Sequence, residues 1–251
     1  MPGSVRFEKR GRVGYVTLDR PQALNAFNDE LLRDMLAIWE EFEADGDLWV
    51  AVLSGEGRAF CAGADVKAGG FLASDRYVSS LAFGPLEVSK PIIAAVHGYT
   101  LGEGFTTALA CDIRIAADDT RLGYPHASHG FMTIGGNVRL PRMTFPGWAK
   151  YMVLVGETLT AEDAFRLGLV HKVVARAELM ERADELAQKV LRNSPLALRY
   201  SKEVQERGLR MPFPEAVAYA RRMAQRYAGT EDMREGVRAF QEKREPTWVG
   251  R

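Results

Sequence analysis

The sequence predicts an α/β fold built on parallel strands and followed by a helical C-terminal region. Several segments are apolar at almost every position, and glycine-containing turns and helical patterns alternate with them. Such strands are typical of parallel sheets that helices cover on both faces. After about residue 145 the strand pattern nearly disappears. The 251 residues suit one large domain, or one domain with an appended element.

The first elements are a strand and an amphipathic helix. Residues 13–18 have the β-branched and aromatic content of a strand, which the sequence Asp-Arg-Pro at 19–21 ends. Asn28 is predicted to cap a helix, because two acidic residues follow in the first turn, where the helix dipole favours negative charge. Apolar residues at helical spacing then predict about four turns. They are Leu31, Met35, Ile38, Trp39 and Phe42.

The same order of elements continues along the chain. Residues 49–54 and 92–96 predict two fully apolar strands. Residues 102–110 predict a turn and a short helix, and residues 113–117 predict the next strand.

The last hundred residues predict a helical region. Helical patterns cover 147–155, 161–167 and 177–193, with one short strand at 171–174. Pro195 is predicted to open the next helix, and the helical pattern reaches residue 244 with a break near 211–214. We therefore divide the chain into an α/β core at 1–194 and a helical oligomerisation region at 195–251.

Composition and charge exclude several classes of protein. Lys and Arg together number 33, as do Asp and Glu, so no net field favours nucleic acid or an acidic membrane surface. No apolar run approaches the ~20 residues of a membrane span, and the N-terminus lacks a signal-peptide core. Cys61 and Cys111 have no metal-ligand spacing and are expected to be buried free thiols. A cytoplasmic protein without a bound metal is predicted.

Two turns carry the main functional signal. We call residues 62–64 the Gly63 turn and residues 102–104 the Gly102 turn. Each places small residues where a strand is expected to end, so that side chains do not cover the backbone N–H groups. Two such turns brought together offer two amide donors to one oxygen, which is how an oxyanion hole is built.

At this point the chain resembles the enoyl-CoA hydratase/isomerase (crotonase) family over nearly its whole length. The matching segments, in the order found in the family, are residues 18–26, 58–67, 90–98, 110–116, 139–142 and 235–244. The resemblance implies a spiral of ββα units with a C-terminal helical trimerisation region, assembled as a homotrimer or a dimer of trimers. It also implies a CoA thioester as substrate and no further cofactor.

The resemblance assigns roles to individual residues. The two backbone amides that bind the thioester carbonyl would be those of Ala64 and Glu103. The residues implied in binding CoA are Gln22, Ala23, Leu24, Ala62, Asp65, Val66 and Lys67, with Phe240 and Lys243 contributed by a neighbouring subunit. The region that holds Phe71, Leu72 and Phe83 shapes the acyl pocket in relatives.

The chain also departs from the family at the proton-transferring positions. Hydratases of this family use two glutamates, and here Thr106 and His126 stand in their places. A hydroxyl is not a general base near neutral pH, so Thr106 either orients a water or substrate oxygen or is a plain helix residue. An imidazole, with an ordinary pKa near ~6.5, both accepts and donates protons at physiological pH. His126 is therefore the candidate acid–base group, with a hydrogen-bonded structural histidine as the alternative.

Glu103 stands where relatives usually have glycine. An ionised carboxylate 4 Å from an enolate would oppose it by about 4 kcal/mol at an intermediate effective dielectric. Either the side chain points elsewhere, or it takes part in proton transfer; Glu103 and Thr106 share a helix face. His129 is expected to have a packing or interface role, and His97 a structural one.

Three functions remain open from the sequence. The first is an acyl-CoA enzyme that stabilises a thioester enolate, nominally an enoyl-CoA hydratase/isomerase with unusual proton-transfer residues. The second is a carbon–carbon bond (β-diketone) hydrolase or an acyl-CoA decarboxylase of the same family. The third is a non-catalytic relative that binds CoA esters.

Overall fold

The structure, a computed structural model, describes residues 3–67 and 88–251. Ten strands lie in these residues, arranged in two sheets. In chain order they are β1 (Val5–Arg10), β2 (Val13–Leu18), β3 (Val50–Gly55), β4 (Ala59–Cys61), β5 (Ile92–Val96), β6 (Tyr99–Leu101), β7 (Ile113–Ala117), β8 (Arg121–Gly123), β9 (Leu159–Thr160) and β10 (Lys172–Val174).

Nine α-helices lie in the same described residues. They are α1 (Asp29–Ala44), α2 (Glu103–Ala110), α3 (Ile134–Met143), α4 (Pro146–Val155), α5 (Ala161–Arg166), α6 (Leu179–Leu191), α7 (Pro195–Gly208), α8 (Phe213–Ala228) and α9 (Glu231–Glu242). Short 3₁₀ helices cover Pro21–Ala23, Pro125–His129 and Arg176–Glu178.

The larger sheet has the strand order β1-β2-β3-β5-β7-β10. Strands β2, β3, β5, β7 and β10 pair in parallel, and only β1 joins its neighbour antiparallel. Side chains of β3 alternate between two cores: Val50 and Val52 pack toward α6, whereas Ala51 and Leu53 pack on the opposite face. Burial on both faces explains why residues 50–53 of the strand are all apolar, as predicted from the sequence.

Helix α1 covers one face of this sheet. Asn28 caps the helix, since its side chain accepts a hydrogen bond from the Leu31 N–H at 2.9 Å. The buried face is Leu31, Leu32, Met35, Trp39 and Phe42. Each such side chain contributes roughly 1.5–3 kcal/mol when it is removed from water. The predicted cap is confirmed, and so is the predicted apolar face, except that Ile38 is only partly buried and Leu32 is buried in addition.

The smaller sheet determines the geometry of the site. Its order is β4-β6-β8-β9, and β4, β6 and β8 run parallel to one another. Their carboxyl ends therefore lie at one edge of the sheet. The Gly63 turn follows β4, the Gly102 turn follows β6, and Pro125–His129 follows β8.

The C-terminal region is helical, as predicted, although it contains one more break than expected. Pro195 is the first residue of α7, and Ser194 caps the helix by accepting from the Ala197 N–H. Besides the predicted break before α8, the chain turns again at 229–230, where Thr230 caps α9. Strand β1 and helix α3 were also not predicted. Strand β1 is an exposed edge strand with four charged residues, and α3 holds two glycines and a proline.

Candidate active site

Three segments converge at the carboxyl ends of β4, β6 and β8. A Cβ built on Gly102 would lie 3.4 Å from the Gly63 Cα and 3.0 Å from the His126 Cε1. The Gly63 turn, the Gly102 turn and His126 are therefore in direct contact. Residues predicted from separate parts of the sequence come together here because their strands are neighbours in one sheet.

The Gly63 turn presents the Ala64 N–H away from the strand ladder. Gly63 has φ +108°, a value that favours glycine. Phe27 N–H donates to the Gly63 carbonyl at 2.8 Å, and Asp65 N–H donates to the Phe27 carbonyl at 2.8 Å. These two bonds flank Ala64, so its own N–H points to the side opposite Phe27.

The Gly102 turn presents the N-terminus of α2. Gly102 has φ +55°, and its N–H donates to the Gly123 carbonyl at 2.9 Å. Glu103 is the first helical residue, and the first intrahelical bond is from the Thr106 N–H to the Gly102 carbonyl. The Glu103 N–H consequently has no partner within the helix, and the helix dipole favours a negative group beside it.

Close packing of α2 on β4 brings the two turns together. A Cβ on Gly104 would lie 2.5 Å from both Cβ and the carbonyl oxygen of Cys61. Only a residue without a side chain allows this approach. The Cys61 thiol is fully buried, and burial raises its pKa to about 12. Cys61 and Cys111 are both free and buried, as predicted.

The Glu103 carboxylate turns into the site and pairs with His126. Its Oε1 lies 3.4 Å from His126 Nε2, and the two side chains are 15% and 14% exposed. Glu103 Oε2 lies 3.4 Å from the position that a Cβ on Gly63 would take. Of the two orientations that the sequence left open, the structure shows the inward one.

Each member of the pair keeps one buried atom without a partner. Glu103 Oε2 and His126 Nδ1 are both inaccessible to solvent and form no hydrogen bond within the described part of the chain. Buried polar atoms of this kind are uncommon and are found at functional sites. If His126 Nε2 carries the proton donated to Glu103, then Nδ1 presents a free lone pair.

Thr106 lies behind the Gly102 turn. Its hydroxyl donates to the Gly102 carbonyl at 3.2 Å and lies 3.2 Å from the Tyr124 hydroxyl. Tyr124 is completely buried, which raises the pKa of its hydroxyl, and its ring centroid is 5.8 Å from that of His126. Tyr124 was not predicted as a site residue. The one signal for it in the sequence is its position two residues before His126.

The other predicted site residues lie on separate segments. Gln22 and Ala23 lie in the 3₁₀ helix that precedes Leu24, and Val66 and Lys67 are exposed after the Gly63 turn. On α9, Phe240 is 85% exposed and Lys243 is the residue after the last helical turn.

Three other predicted positions, Phe71, Leu72 and Phe83, lie outside the described residues. His129 is exposed, and its Nδ1 lies near the Pro125 carbonyl and the Ser128 hydroxyl.

Within residues 3–67 and 88–251, no group of three or more His, Cys, Asp or Glu side chains is arranged to hold a metal ion. No helix in those residues is long and apolar enough to cross a membrane.

Comparison with known proteins agrees with this architecture. The family model described as enoyl-CoA hydratase/isomerase matches residues 8–251. The chain belongs to the enoyl-CoA hydratase/isomerase family. It is 37% identical to the short-chain-enoyl-CoA hydratase of Clostridium acetobutylicum, over 96% of this chain and 95% of that one. It is 38% identical to the carnitinyl-CoA dehydratase of Escherichia coli, and the match covers both chains completely.

Solved structures of the enoyl-CoA hydratase/isomerase family share the fold. The enoyl-CoA hydratase of Mycobacterium marinum superposes with a TM-score of 0.93 at 33% identity, over 99% of this chain and 100% of that chain. The enoyl-CoA hydratase of Bacillus anthracis superposes with a TM-score of 0.92 at 30% identity. The predicted crotonase-like α/β fold with a helical C-terminal region is confirmed.

Proposed function

We propose that this family member binds an acyl-CoA and stabilises the enolate of its thioester between the Ala64 and Glu103 amides. The observation that carries the proposal is the contact between the Gly63 and Gly102 turns. The Ala64 N–H of one turn and the Glu103 N–H of the other lie outside the neighbouring hydrogen-bond ladders. The two turns follow β4 and β6, which are adjacent parallel strands. Two such donors act as an oxyanion hole when they face the same oxygen.

A CoA thioester is the substrate class that relatives support. The Clostridium protein is a short-chain-enoyl-CoA hydratase and the Escherichia protein is a carnitinyl-CoA dehydratase, so both names specify CoA thioesters. We propose that CoA contacts the segments before and after the Gly63 turn, together with the exposed end of α9 from a neighbouring subunit. The proposed residues are Gln22, Ala23, Leu24, Ala62, Asp65, Val66, Lys67, Phe240 and Lys243.

Proton transfer is assigned to His126, with Glu103 as its partner. Glu103 pairs with Nε2, and the imidazole takes a proton from the carbon next to the thioester carbonyl or from water. The imidazolium so formed lies against the Glu103 carboxylate, and the attraction is about 5 kcal/mol at an effective dielectric of ~20. The pair is thus neutral when the enolate is present, which removes the repulsion that a lone carboxylate would exert.

The buried hydroxyl of Thr106 is assigned a positioning role. It binds the Gly102 carbonyl and adjoins Tyr124, so it supports the turn that carries the Glu103 amide. A proton carrier needs a pKa near the working pH, which a threonine hydroxyl lacks.

Enolate formation is tested directly by isotope exchange. Butyryl-CoA is incubated with the protein in D₂O, and deuterium uptake at the carbon next to the carbonyl is followed by mass spectrometry. We expect uptake with the wild-type protein and little with His126→Gln. Exchange at the uncatalysed rate would contradict enolate stabilisation.

A second measurement separates reaction from binding. Crotonyl-CoA is followed by loss of its enoyl absorbance, with thioester binding measured as a rise in Tm at about 1 mM ligand. A rise in Tm without hydration or exchange would favour the non-catalytic, CoA-ester-binding alternative.

Carbon–carbon bond hydrolysis is the second candidate, and the Glu103–His126 pair favours it. The His126 imidazole would take a proton from water as the water oxygen attacks a ketone carbonyl. The carbon–carbon bond then breaks, leaving a carboxylic acid and an enolate, which the imidazolium protonates on carbon. Turnover of a cyclic 1,3-diketone without CoA would support this reaction. Decarboxylation of a malonyl thioester is disfavoured, because Glu103 places a second negative charge beside the leaving carboxylate.

A homotrimer, or a dimer of trimers, is the proposed assembly, with residues 195–251 as the proposed oligomerisation region and a second surface added by α3 and α4. Helices α3 and α4 and the loops before them expose a group of large apolar side chains, as expected of a surface that a second copy covers. They are Phe131, Met132, Ile134, Val138, Phe145, Trp148, Tyr151, Leu154 and Val155.

A further inference from the structure

Two consecutive residues that are not glycine adopt left-handed backbone conformations close to the Gly63 turn. Leu24 has φ +52° and Asn25 has φ +56°. Leucine rarely adopts this conformation, because its Cβ approaches the following carbonyl oxygen. Strain of this kind persists only where surrounding contacts enforce it, and it is concentrated at functional sites.

The contacts that enforce it come from the Asn25 side chain. Asn25 is completely buried, and its Nδ2 donates to the Glu56 carbonyl at 2.9 Å and to the Ala59 carbonyl at 2.8 Å. Its Oδ1 accepts from the Arg20 N–H at 2.8 Å. Both donors and the acceptor of the amide are therefore used, and they tie the segment to the loop before β4 and to β4 itself.

The left-handed pair directs the next residues along the Gly63 turn. Ala62 N–H donates to the Leu24 carbonyl at 3.0 Å, and the Phe27 bonds to Gly63 and Asp65 follow in register. Three successive backbone hydrogen bonds thus hold residues 62–65 against residues 24–27. The direction of the Ala64 N–H depends on this register.

Arg20 joins the same two segments through its side chain. Its Nη1 donates to the Ala26 carbonyl at 2.5 Å, and its Nη2 lies 3.1 Å from Asp65 Oδ2. The Arg20 and Asp65 side chains are only 16% and 18% exposed, so solvent screens the pair less than a surface ion pair. The guanidinium therefore links Ala26, the residue before Phe27, to Asp65, the residue after Ala64.

We infer that Arg20 and Asn25 are positioning residues, which hold the Gly63 turn so that the Ala64 N–H faces the reacting oxygen. The inference rests on the proposed function, since it concerns one of the two proposed oxyanion donors. An oxyanion hole depends on donors that are oriented before reaction, and a donor free to tilt stabilises developing charge less well.

The test uses a thioester whose absorbance reports polarisation of its carbonyl, the 4-(dimethylamino)cinnamoyl ester of CoA. The wild-type protein, Arg20→Gln and Arg6→Gln are each saturated with this compound. Arg6 is the matched control, because it also pairs with carboxylates, Asp19 and Glu56, but on the exposed surface. We expect a red shift with wild type and Arg6→Gln, and less than half of that shift with Arg20→Gln.

Turnover of crotonyl-CoA gives the second measurement. Arg20→Gln should lower kcat by roughly 10- to 100-fold and change KM by less than threefold, as expected when an interaction specific to the transition state is lost. Asn25→Gly is the companion variant, because glycine adopts φ +56° without strain but lacks all three side-chain hydrogen bonds. Asn25→Gly should also lower kcat with little change in KM, and it serves as the test if Arg20→Gln does not fold.

The outcomes distinguish the two proposals. Binding without a red shift in the wild-type protein would contradict the oxyanion hole itself. A full red shift and unchanged kcat in folded Arg20→Gln and Asn25→Gly would overturn the positioning role while leaving the oxyanion hole in place.

Discussion

Glu103 Oε1 lies 3.4 Å from His126 Nε2, although the two residues are 23 positions apart in the sequence. One residue begins α2 and the other lies in the 3₁₀ helix after β8. The parallel pairing of β6 with β8 brings them together, because Leu101 and Gly123 are partners in register. The contact gives the histidine a carboxylate partner and a defined orientation.

Replacing either member of this pair should reduce catalysis without unfolding the protein. His126→Gln should lower kcat by about 10²- to 10⁴-fold, the usual contribution of a general base. Glu103→Gln should lower it by roughly 10²-fold, because the imidazolium loses a partner that contributes several kcal/mol. Steady-state turnover of crotonyl-CoA measures both, with Tm as the check on folding.

The exposed His129 offers the matched control for His126. It lies in the same 3₁₀ helix, and its hydrogen-bond partners among the described residues are Pro125 and Ser128. His129→Gln should keep turnover within twofold of wild type. Equal losses in the His126 and His129 variants would contradict a specific acid–base role.

The close approach at Gly102 should be intolerant of even one methyl group. Gly102→Ala places a Cβ 3.0 Å from the His126 ring, in addition to straining φ +55°. Gly11→Ala also strains a positive φ, +57°, but has no neighbour within 4 Å. Gly11→Ala should lose about 1–2 kcal/mol of unfolding free energy from the backbone, and Gly102→Ala should lose more, because its ψ of −121° lies outside the left-handed helical region. Only Gly102→Ala should lose activity, and equal activity in the two would show that His126 is not held against this turn.

His97 should make the folded protein sensitive to acid. The side chain is buried with Nε2 3.1 Å from the Gly57 carbonyl; burial, and secondarily Arg176, lower its pKa to about 4. Because the unfolded chain binds this proton near pH ~6.5, the free energy of unfolding should decrease as the pH falls from there toward 4. The loss attributable to His97 is up to about 3 kcal/mol.

Urea denaturation at several pH values measures this effect. His97→Asn, with His97→Gln as a second variant, should have a shallower decrease in stability between pH 6.5 and 4. Burial also lowers the pKa of His171. His171 should therefore also make stability decrease as the pH falls, equally in wild type and in both variants. Identical slopes in wild type and both variants would show that His97 does not titrate with folding.

The apolar surface on α3 and α4 should hold the copies of the protein together. Leu154→Glu places a charge among exposed apolar side chains, and we expect a lower mass by light scattering after size-exclusion chromatography. Met180→Glu is the control, because Met180 is an exposed apolar residue on α6. Unchanged mass for Leu154→Glu would assign the assembly to other surfaces.

Much of the fold could be predicted because its signals are local. The Asn28 cap, the apolar face of α1 and the apolar run at 50–53 in β3 follow from helix capping, the helical repeat and two-sided burial. Strand β1 was not predicted because an exposed edge strand needs no apolar run. Helix α3 was not predicted because its glycines obscure a helical pattern.

The sequence by itself determined the family, much of the strand–turn–helix order and the two glycine turns, because each is carried by short segments of consecutive residues. Only the tertiary structure decided where the Glu103 side chain points and that His126 is its partner. It also revealed that strained Leu24 and Asn25 lie against the Gly63 turn. These relationships arise from pairing between segments 20 to 40 residues apart, and register between distant strands leaves no local pattern in the sequence.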